Sequence, residues 1–167
     1  MREPIKVLLA ILGAGVLLAL GANEAGATTA SDAFTSTITI QANSQVISTN
    51  SLNFGTQGIL VANTDVTSTF NVQCTNTTPY SVGLNAGAGT GATTTTRLMT
   101  NGANTVAYQM FSNADRTSNW GNTVGTDTVA GTGNGTQQTL TVYGRAAPQT
   151  TPAPATYNDT VTVTITY

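Results

Sequence analysis

Histidine is absent from this 167-residue sequence, and Cys74 is its single cysteine. The first absence excludes an imidazole base or metal ligand, and one thiol cannot build a cysteine-rich metal or redox site. Charged residues make up 7% of the chain, against about a quarter in ordinary globular proteins. The formal net charge is −2 and there is no basic run, which excludes an electrostatic nucleic-acid binder. We therefore expect no cofactor, no metal and no nucleic-acid partner.

Residues 1–27 are organised like an export signal. Arg2 and Lys6 give a positive start, an apolar run follows, and the small residues at 25–27 form a cleavage site. The apolar run is shorter than the ~20 residues that a membrane-spanning helix needs. The sequence therefore predicts a signal peptide at 1–27, cleavage before Thr28 and an exported mature chain.

The remainder of the chain is predicted to be all-β. Residues 28–167 contain no lysine and no glutamate, and threonine fills 35 of these 140 positions, a composition that favours strands over helices. Short runs separated by turn signals predict an Ig-like sandwich of six or seven strands. Apolar and polar residues alternate with the period of a strand around Val82 and Leu84, around Val106, Tyr108 and Met110, around Leu140 and Val142, and around Val161, Val163, Ile165 and Tyr167.

Glycine and proline mark the connections between these strands. Two glycine-rich segments, 87–91 and 131–135, lack the helix that follows a phosphate-binding loop, so we predict hairpin turns there. Pro148, Pro152 and Pro154 leave the backbone short of hydrogen-bond donors. We expect them in an exposed connection between the last two strands.

The two ends of the mature chain are unusual. The alternation at 28–42 predicts a strand with one apolar face, and the strand that ends at Tyr167 has no closing strand after it. The first segment is either the opening strand of its own sandwich or a strand that fills the open edge of another copy. The second arrangement would propagate into a head-to-tail fibre. The apolar face of the segment consists of Phe34, Ile38, Ile40 and Ala42.

A series of motifs runs in order through nearly all of the mature chain. On these motifs the sequence resembles the spore coat protein U domain family, which includes the major subunits of archaic chaperone–usher (Csu-type) pili. The motifs are Leu52-Asn53-Phe54-Gly55, Val72-Gln73-Cys74-Thr75-Asn76-Thr77-Thr78-Pro79-Tyr80, Leu84-Asn85-Ala86-Gly87, Arg97-Leu98-Met99-Thr100-Asn101-Gly102, Tyr108-Gln109-Met110-Phe111, Arg116-Thr117-Ser118-Asn119-Trp120-Gly121, Gly131-Thr132-Gly133, Leu140-Thr141-Val142-Tyr143-Gly144-Arg145 and Tyr157-Asn158-Asp159-Thr160-Val161-Thr162-Val163-Thr164.

The resemblance implies an incomplete Ig-like sandwich of six strands over residues 44–167. A periplasmic chaperone would lend the missing strand, and an outer-membrane usher would replace it with the donor segment, residues 28–43, of an identical subunit. The implied product is a homopolymeric surface pilus that supports attachment and biofilm formation. The implied donor face is Phe34, Ile38, Ile40 and Ala42, and the implied acceptor groove is Val161, Val163, Ile165 and Tyr167.

The resemblance also implies a disulfide that this chain cannot form. Similar proteins carry a cysteine shortly before the motif that begins at Leu52, paired with a cysteine at the position of Cys74. We place Gln45 at the position of that first cysteine. Cys74 is therefore expected to be a buried free thiol, with an intermolecular bond as the alternative.

The other residues capable of chemistry have ordinary structural interpretations. Trp120 is expected in the core or as the anchor of a loop. The few charged side chains are expected to make local contacts, and the aspartates to lie in turns, so we predict that the protein is not an enzyme and has no small-molecule substrate. These residues are Arg97, Arg116, Arg145, Asp115, Asp127 and Asp159.

The predicted function is therefore that of a structural pilus subunit. Two alternatives stay open at this point. One is a structural protein of the spore-coat type, which assembles from similar domains. The other is a single secreted β-sandwich that binds a ligand without polymerising.

Overall fold

The computed structural model describes residues 26–167. The predicted signal peptide, apart from its last two residues, lies outside the described part. The chain divides into two compact units, with the boundary after Ile38. The second unit, from Thr39 to Tyr167, contains all of the described strands. Residues 26–38 have no regular secondary structure and are exposed. No helix in the described part is long and apolar enough to cross a membrane.

Residues 26–167 form eight strands and no helix, as the abundance of threonine and valine predicts. Every strand pair is antiparallel. The strands are β1 (Ser44–Thr49), β2 (Thr64–Cys74), β3 (Pro79–Leu84), β4 (Arg97–Asn101), β5 (Asn104–Phe111), β6 (Val129–Thr132), β7 (Gln137–Ala146) and β8 (Val163–Thr166).

The strands form two sheets, which confirms the predicted Ig-like sandwich. The larger sheet has the order β1-β2-β7-β5-β4, and the smaller has the order β6-β3-β8. The eight strands exceed the six expected. Two of them, β4 and β6, are only five and four residues long. Neither shows the alternation that identifies a strand in a sequence.

The core lies between the two sheets and is built from alternate residues of the strands. Trp120 is 1% exposed, and its indole N–H donates a 2.8 Å hydrogen bond to the Val82 carbonyl, which confirms its predicted core position. Burial of large apolar side chains contributes about 1.5–3 kcal/mol each. The buried cluster consists of Phe70, Val72, Cys74, Tyr80, Val82, Leu84, Tyr108, Met110, Trp120, Val142 and Ala146.

The predicted hairpins at 87–91 and 131–135 are wrong. The first segment lies between β3 and β4, and the second includes the end of β6 and leads to β7; in both cases the two strands belong to different sheets. The glycines instead allow the chain to turn between layers: Gly87 and Gly91 have φ of 85° and 82°. The proline-rich connection lies between β7 and β8, as expected.

The connection between β1 and β2 packs onto the core. Leu52 lies against Gly144 of β7, where an added Cβ would be 2.7 Å from the leucine Cδ2. Phe54 meets the Tyr108 ring edge-to-face, with ring centroids 5.7 Å apart. Leu52 and Phe54 of this motif are therefore partly buried against the core, whereas Asn53 and Gly55 are exposed.

Candidate strand-binding groove

Two of the four edge strands lie side by side with open edges. β1 pairs only with β2 and β8 pairs only with β3 within the described chain, and β1 lies beside β8. Both strands thus present unused backbone N–H and C=O groups at the same side of the sandwich. We call the space between β1 and β8 the seam.

The edge strand β4 differs from the seam because it is covered. Thr100 and Asn158 exchange two backbone hydrogen bonds of 2.8 and 3.2 Å, and the Asn101 side chain adds a bond to the Thr156 carbonyl. The edge strand β6 has four residues, as does β8 at the seam, so length does not distinguish these two edges. Covering is a usual way in which proteins protect sheet edges, and among the described residues β1 and β8 have neither a bridging segment nor a proline.

The seam has an apolar floor. Val163 and Ile165 on β8 and Val46 on β1 pack against the core cluster but stay partly exposed. Thr164 and Thr166 alternate with them and are exposed. The core is therefore incompletely covered along the seam, and a further strand would find apolar contacts below it and hydrogen-bonding groups beside it.

The structure brings three of the four predicted groove residues together. Val161, Val163 and Ile165 all pack on the core, whereas Tyr167 follows the end of β8 and is 57% exposed. Val161 precedes β8, where Asn85 and Thr162 hold the chain with two hydrogen bonds of 3.1 and 2.9 Å. Sequence reasoning missed Val46, because the β1 residues show no clear alternation.

The predicted donor face is exposed. Phe34 is 92% exposed, Ile38 82% and Ile40 72%, and Ala42 is also exposed. The strand predicted over 28–42 is not formed in the single copy that the structure contains. A lone strand has no ladder partner for its backbone groups, so the alternating pattern alone does not produce one.

The register of β1 and β2 corrects the position assigned opposite the cysteine. Ser44 lies opposite Cys74, and Gln45 lies opposite Gln73. Cys74 is a buried free thiol, as expected. The Ser44 hydroxyl is also buried and has no hydrogen-bond partner among the described residues. Ser44 therefore occupies the position that a disulfide partner of Cys74 would need, whereas Gln45 is exposed.

The predicted local role of Arg97 is confirmed. Its side chain is 0% exposed and donates four hydrogen bonds of 2.8–2.9 Å to backbone carbonyls. Burial lowers the pKa of Arg97, and nearby Tyr108 and Asp159 oppose that shift. The four carbonyls belong to Leu84, Asn85, Thr94 and Trp120.

Tyr108 and Asp159 form a second polar contact, which is partly buried. The Tyr108 hydroxyl donates a 2.7 Å hydrogen bond to Asp159, whose carboxylate also accepts from the Ala88 N–H at 2.7 Å. Burial raises the pKa of Tyr108, and the hydrogen bond to Asp159 raises it further. These contacts join the chain before β8 to the turn after β3.

The remaining charged residues also make local contacts. The Asp65 carboxylate accepts two 2.7 Å hydrogen bonds from Arg145 and lies 3.5 Å from Arg116 Nε. The hydrogen bonds from Arg145 lower the pKa of Asp65, with a further contribution from the charge of Arg116. Asp127 accepts a 2.7 Å bond from the Thr123 N–H, as is typical of a turn aspartate, and Asp115 is exposed.

Comparison with known proteins places the chain in a family. Residues 30–164 match the model of the Spore Coat Protein U domain. The chain belongs to the Spore Coat Protein U domain family. One similar member is Protein U of Myxococcus xanthus, which is 34% identical over 128 residues that span 70% of this chain and 71% of that protein. The match to the domain includes most of residues 28–43 and the start of β8, so both parts of the candidate site belong to the family region.

The fold is similar to that of a solved pilus protein. The similar chain is in the crystal structure of the CsuC–CsuE chaperone–tip adhesion subunit pre-assembly complex from the archaic chaperone–usher Csu pili of Acinetobacter baumannii. The TM-score is 0.57 and the sequence identity is 28%. The match covers 77% of this chain but only 40% of that one, so this chain spans less than half the length of its solved relative.

Proposed function

We propose that this Spore Coat Protein U domain protein is a structural subunit of an archaic chaperone–usher pilus. Residues 28–43 of one copy would occupy the seam of another and complete its sandwich. The observation that carries the proposal is the seam itself, with two adjacent open strand edges above a partly exposed apolar floor. The same chain carries an exposed segment whose apolar residues alternate with the period that such a groove requires.

The energetics favour insertion. Burial of Phe34, Ile38 and Ile40 would contribute roughly 5–9 kcal/mol, at about 1.5–3 kcal/mol for each large apolar side chain. Each ladder hydrogen bond to β8 adds about 0.5–1.5 kcal/mol. Ordering the segment offsets part of this gain. Removal of an inserted strand would break all of these contacts together, which makes the joint kinetically stable as well.

The geometry of the joint leads to a fibre. The donor segment and the acceptor seam are different surfaces of the same chain, so the contact is head-to-tail. Each added copy brings a new donor segment or a new seam, and the assembly grows unless it closes into a ring. The product is a homopolymer whose role is structural and not enzymatic.

Similarity to a chaperone–subunit complex supports a chaperone as the first partner. An open seam exposes the core of a newly exported subunit, and a chaperone strand would cover it until the next copy arrives. An outer-membrane usher would exchange the two strands at the cell surface. The resulting surface fibre would support attachment and biofilm formation.

A coat protein of the spore-coat type is the second candidate. It is favoured by the family match and by the likeness to Protein U. Donor-strand exchange would serve a coat as well as a pilus, so the two candidates differ in the shape of the assembly. Electron microscopy of assembled material would show thin fibres for a pilus and a continuous layer for a coat.

Deletion of residues 28–42 tests the proposal. The full chain and the deletion variant are co-expressed with the cognate chaperone and usher and run on SDS gels in reductant, with and without boiling. We expect a multimer ladder from the unboiled full chain, its collapse to monomer on boiling, and no ladder from the variant. A full chain that runs as monomer without boiling would instead support the single secreted module.

A further inference from the structure

The sandwich has two distinct ends, which the strand register defines. At one end β2 finishes and β7 begins, where Gln73 lies opposite Gln137; at the other end Thr64 lies opposite Ala146. We call the first the donor end, because β1 starts there with Ser44 opposite Cys74. The second is the exit end, and it carries the β1–β2 and β7–β8 connections.

The direction of an inserted strand follows from the sheet. β8 finishes on the donor-end side, because Thr166 lies opposite Ser81 near the start of β3. All strand pairs among residues 26–167 are antiparallel, and purely antiparallel sheets are favoured over mixed ones. A strand added to β8 in the same manner would run from the donor end to the exit end. Its last apolar residue, Ala42, would then leave the acceptor at the exit end.

The connection between donor strand and donor domain is very short. Only Asn43 separates Ala42 from Ser44, the first residue of β1. One residue spans at most about 3.6 Å of chain. If residues 28–43 insert as proposed above, the exit end of one copy must therefore lie against the donor end of the next.

The exit end presents a rigidly held apolar turn at residues 59–61. Ile59 and Val61 are 78% and 75% exposed, whereas Leu60 between them is 8% exposed. The Leu60 N–H donates to Thr151 Oγ1 at 2.8 Å, and its carbonyl accepts from the Gln149 N–H at 3.0 Å. A 3.0 Å hydrogen bond from the Val61 N–H to the Ile59 carbonyl closes the turn. The 59–61 turn thus displays two apolar side chains on a fixed backbone.

The donor end presents a concave surface beside Asn43. With Ile40 as part of its lining, a pocket of about 380 Å³ lies between β1, the end of β2 and the turn before β7. A 3.0 Å hydrogen bond from the Gln73 side chain to the Gly135 carbonyl braces it. Ile40 belongs to the segment that would leave with the acceptor, so the permanent lining is Asn43, Gln45, Gln73, Cys74, Thr75, Asn76 and Gly135.

We infer that the 59–61 turn of each acceptor subunit packs into the donor-end pocket of the next subunit. The occupant is therefore a second copy of this chain, and the inference rests on the proposed strand exchange. The contact would cover Ile59 and Val61, which the single copy leaves in water. It would also fix the angle between successive subunits, which a one-residue connection restrains only in distance.

Paired cysteines test the contact. The test variant combines Ile59→Cys with Asn76→Cys. The control variant combines Thr67→Cys with Asn76→Cys, because Thr67 is also exposed but lies within β2, away from the 59–61 turn. All three positions are exposed, so folding should be preserved, and the buried Cys74 is the same in both variants. After oxidation we expect boiled, non-reduced samples to retain multimers only for the Ile59 pair, with loss of these multimers in reductant.

The two proposals fail in different ways in this experiment. Two results would overturn the docking contact alone. In the first, the Ile59 pair forms multimers that survive without boiling but no disulfide-linked multimers. In the second, both cysteine pairs form disulfide-linked multimers to the same extent. Absence of unboiled multimers in reductant would overturn strand exchange and the contact with it.

A second variant tests the mechanical consequence of the same contact. Ile59→Asp with Val61→Asp should retain the unboiled ladder, because neither residue belongs to the seam. In electron micrographs the spread of angles between successive subunits should increase at least twofold relative to the unmodified fibre. An unchanged spread would contradict the inference.

Discussion

Arg97 is the residue on which the loops around the core converge. It is fully buried, and its guanidinium donates hydrogen bonds to backbone carbonyls at the end of β3, in the following turn and in the segment that contains Trp120. The planar, forked guanidinium can direct several donors at once, which a lysine ammonium on a flexible stem cannot do in the same geometry. Its role is to close the sandwich.

Replacement of Arg97 by methionine should destabilise the protein strongly. The change leaves four carbonyls without their donor, and a buried acceptor left unsatisfied typically costs about 1–3 kcal/mol. Arg145→Met is the matched control, because Arg145 pairs with Asp65 at the surface. Urea unfolding should show a much larger loss for the Arg97 variant. Equal losses would contradict the account.

Asp65 should make stability depend on pH in the acid range. Hydrogen bonds from Arg145 hold the folded pKa of Asp65 below its ordinary value of 3.8. Asp65 therefore contributes fully to the free energy of unfolding at pH values above its pKa in the unfolded chain. This contribution is lost as the pH falls through the lower pKa that Asp65 has in the folded protein. Because Asp65 is exposed, we expect less than about 1 kcal/mol.

Asp65→Asn provides the measurement for this effect. The free energy of unfolding of the variant should be lower than that of the unmodified chain at pH 7. The difference should shrink as the pH falls below about 4, because the aspartate then becomes protonated in the unfolded chain first. A difference that is the same at pH 7 and pH 2 would point to another cause.

At the scale of the strands, register decides which side chains meet. Successive residues of a strand face opposite sides, so a shift of one residue exchanges the two faces. Ser44 and Cys74 therefore share the buried side of the β1–β2 pair, and Gln45 lies on the other. Directly opposed residues have Cα atoms about 4.5–5.5 Å apart, within the range that a disulfide spans.

Ser44→Cys should consequently form a disulfide with Cys74. Under oxidising conditions we expect loss of both free thiols and a gain of about 2–4 kcal/mol in the free energy of unfolding, reversed by reductant. Gln45→Cys is the control and should keep two free thiols. A disulfide in the Gln45 variant, or none in the Ser44 variant, would show that the register differs from the structure.

The strands that could be predicted from the sequence are those with one buried face. The alternation around Val82, Val106 and Val142 is regular because one side of each strand packs on the core. The pairing partners could not be predicted, because a glycine-rich segment is compatible with both a hairpin and a crossing between sheets. The residue opposite Cys74 depends on the register of β1 against β2, which no alternation in β1 indicates: the sequence prediction is Gln45, whereas the structure has Ser44 there.

At the scale of the whole molecule, the central feature is a sandwich with one open side. The seam and the exposed residues 28–43 are complementary in chemistry, since one offers strand edges above an apolar floor and the other an alternating apolar face. The alternating face of residues 28–42 and the β8 residues of the seam follow from sequence patterns, but the contribution of Val46 on β1 to the apolar floor does not. That contribution depends on how two distant segments pack together, which no local pattern encodes.

The most direct measurement compares two double variants of the donor segment. Ile38→Asp with Ile40→Asp places charges on the apolar face, whereas Thr37→Asp with Thr39→Asp places the same charges on the polar face. Each is co-expressed with chaperone and usher, and multimers are measured on unboiled SDS gels. Donor-strand exchange predicts that the first variant loses the ladder and the second retains it. Ladders of equal strength from both variants would contradict the proposal that this face fills the seam of a neighbouring copy.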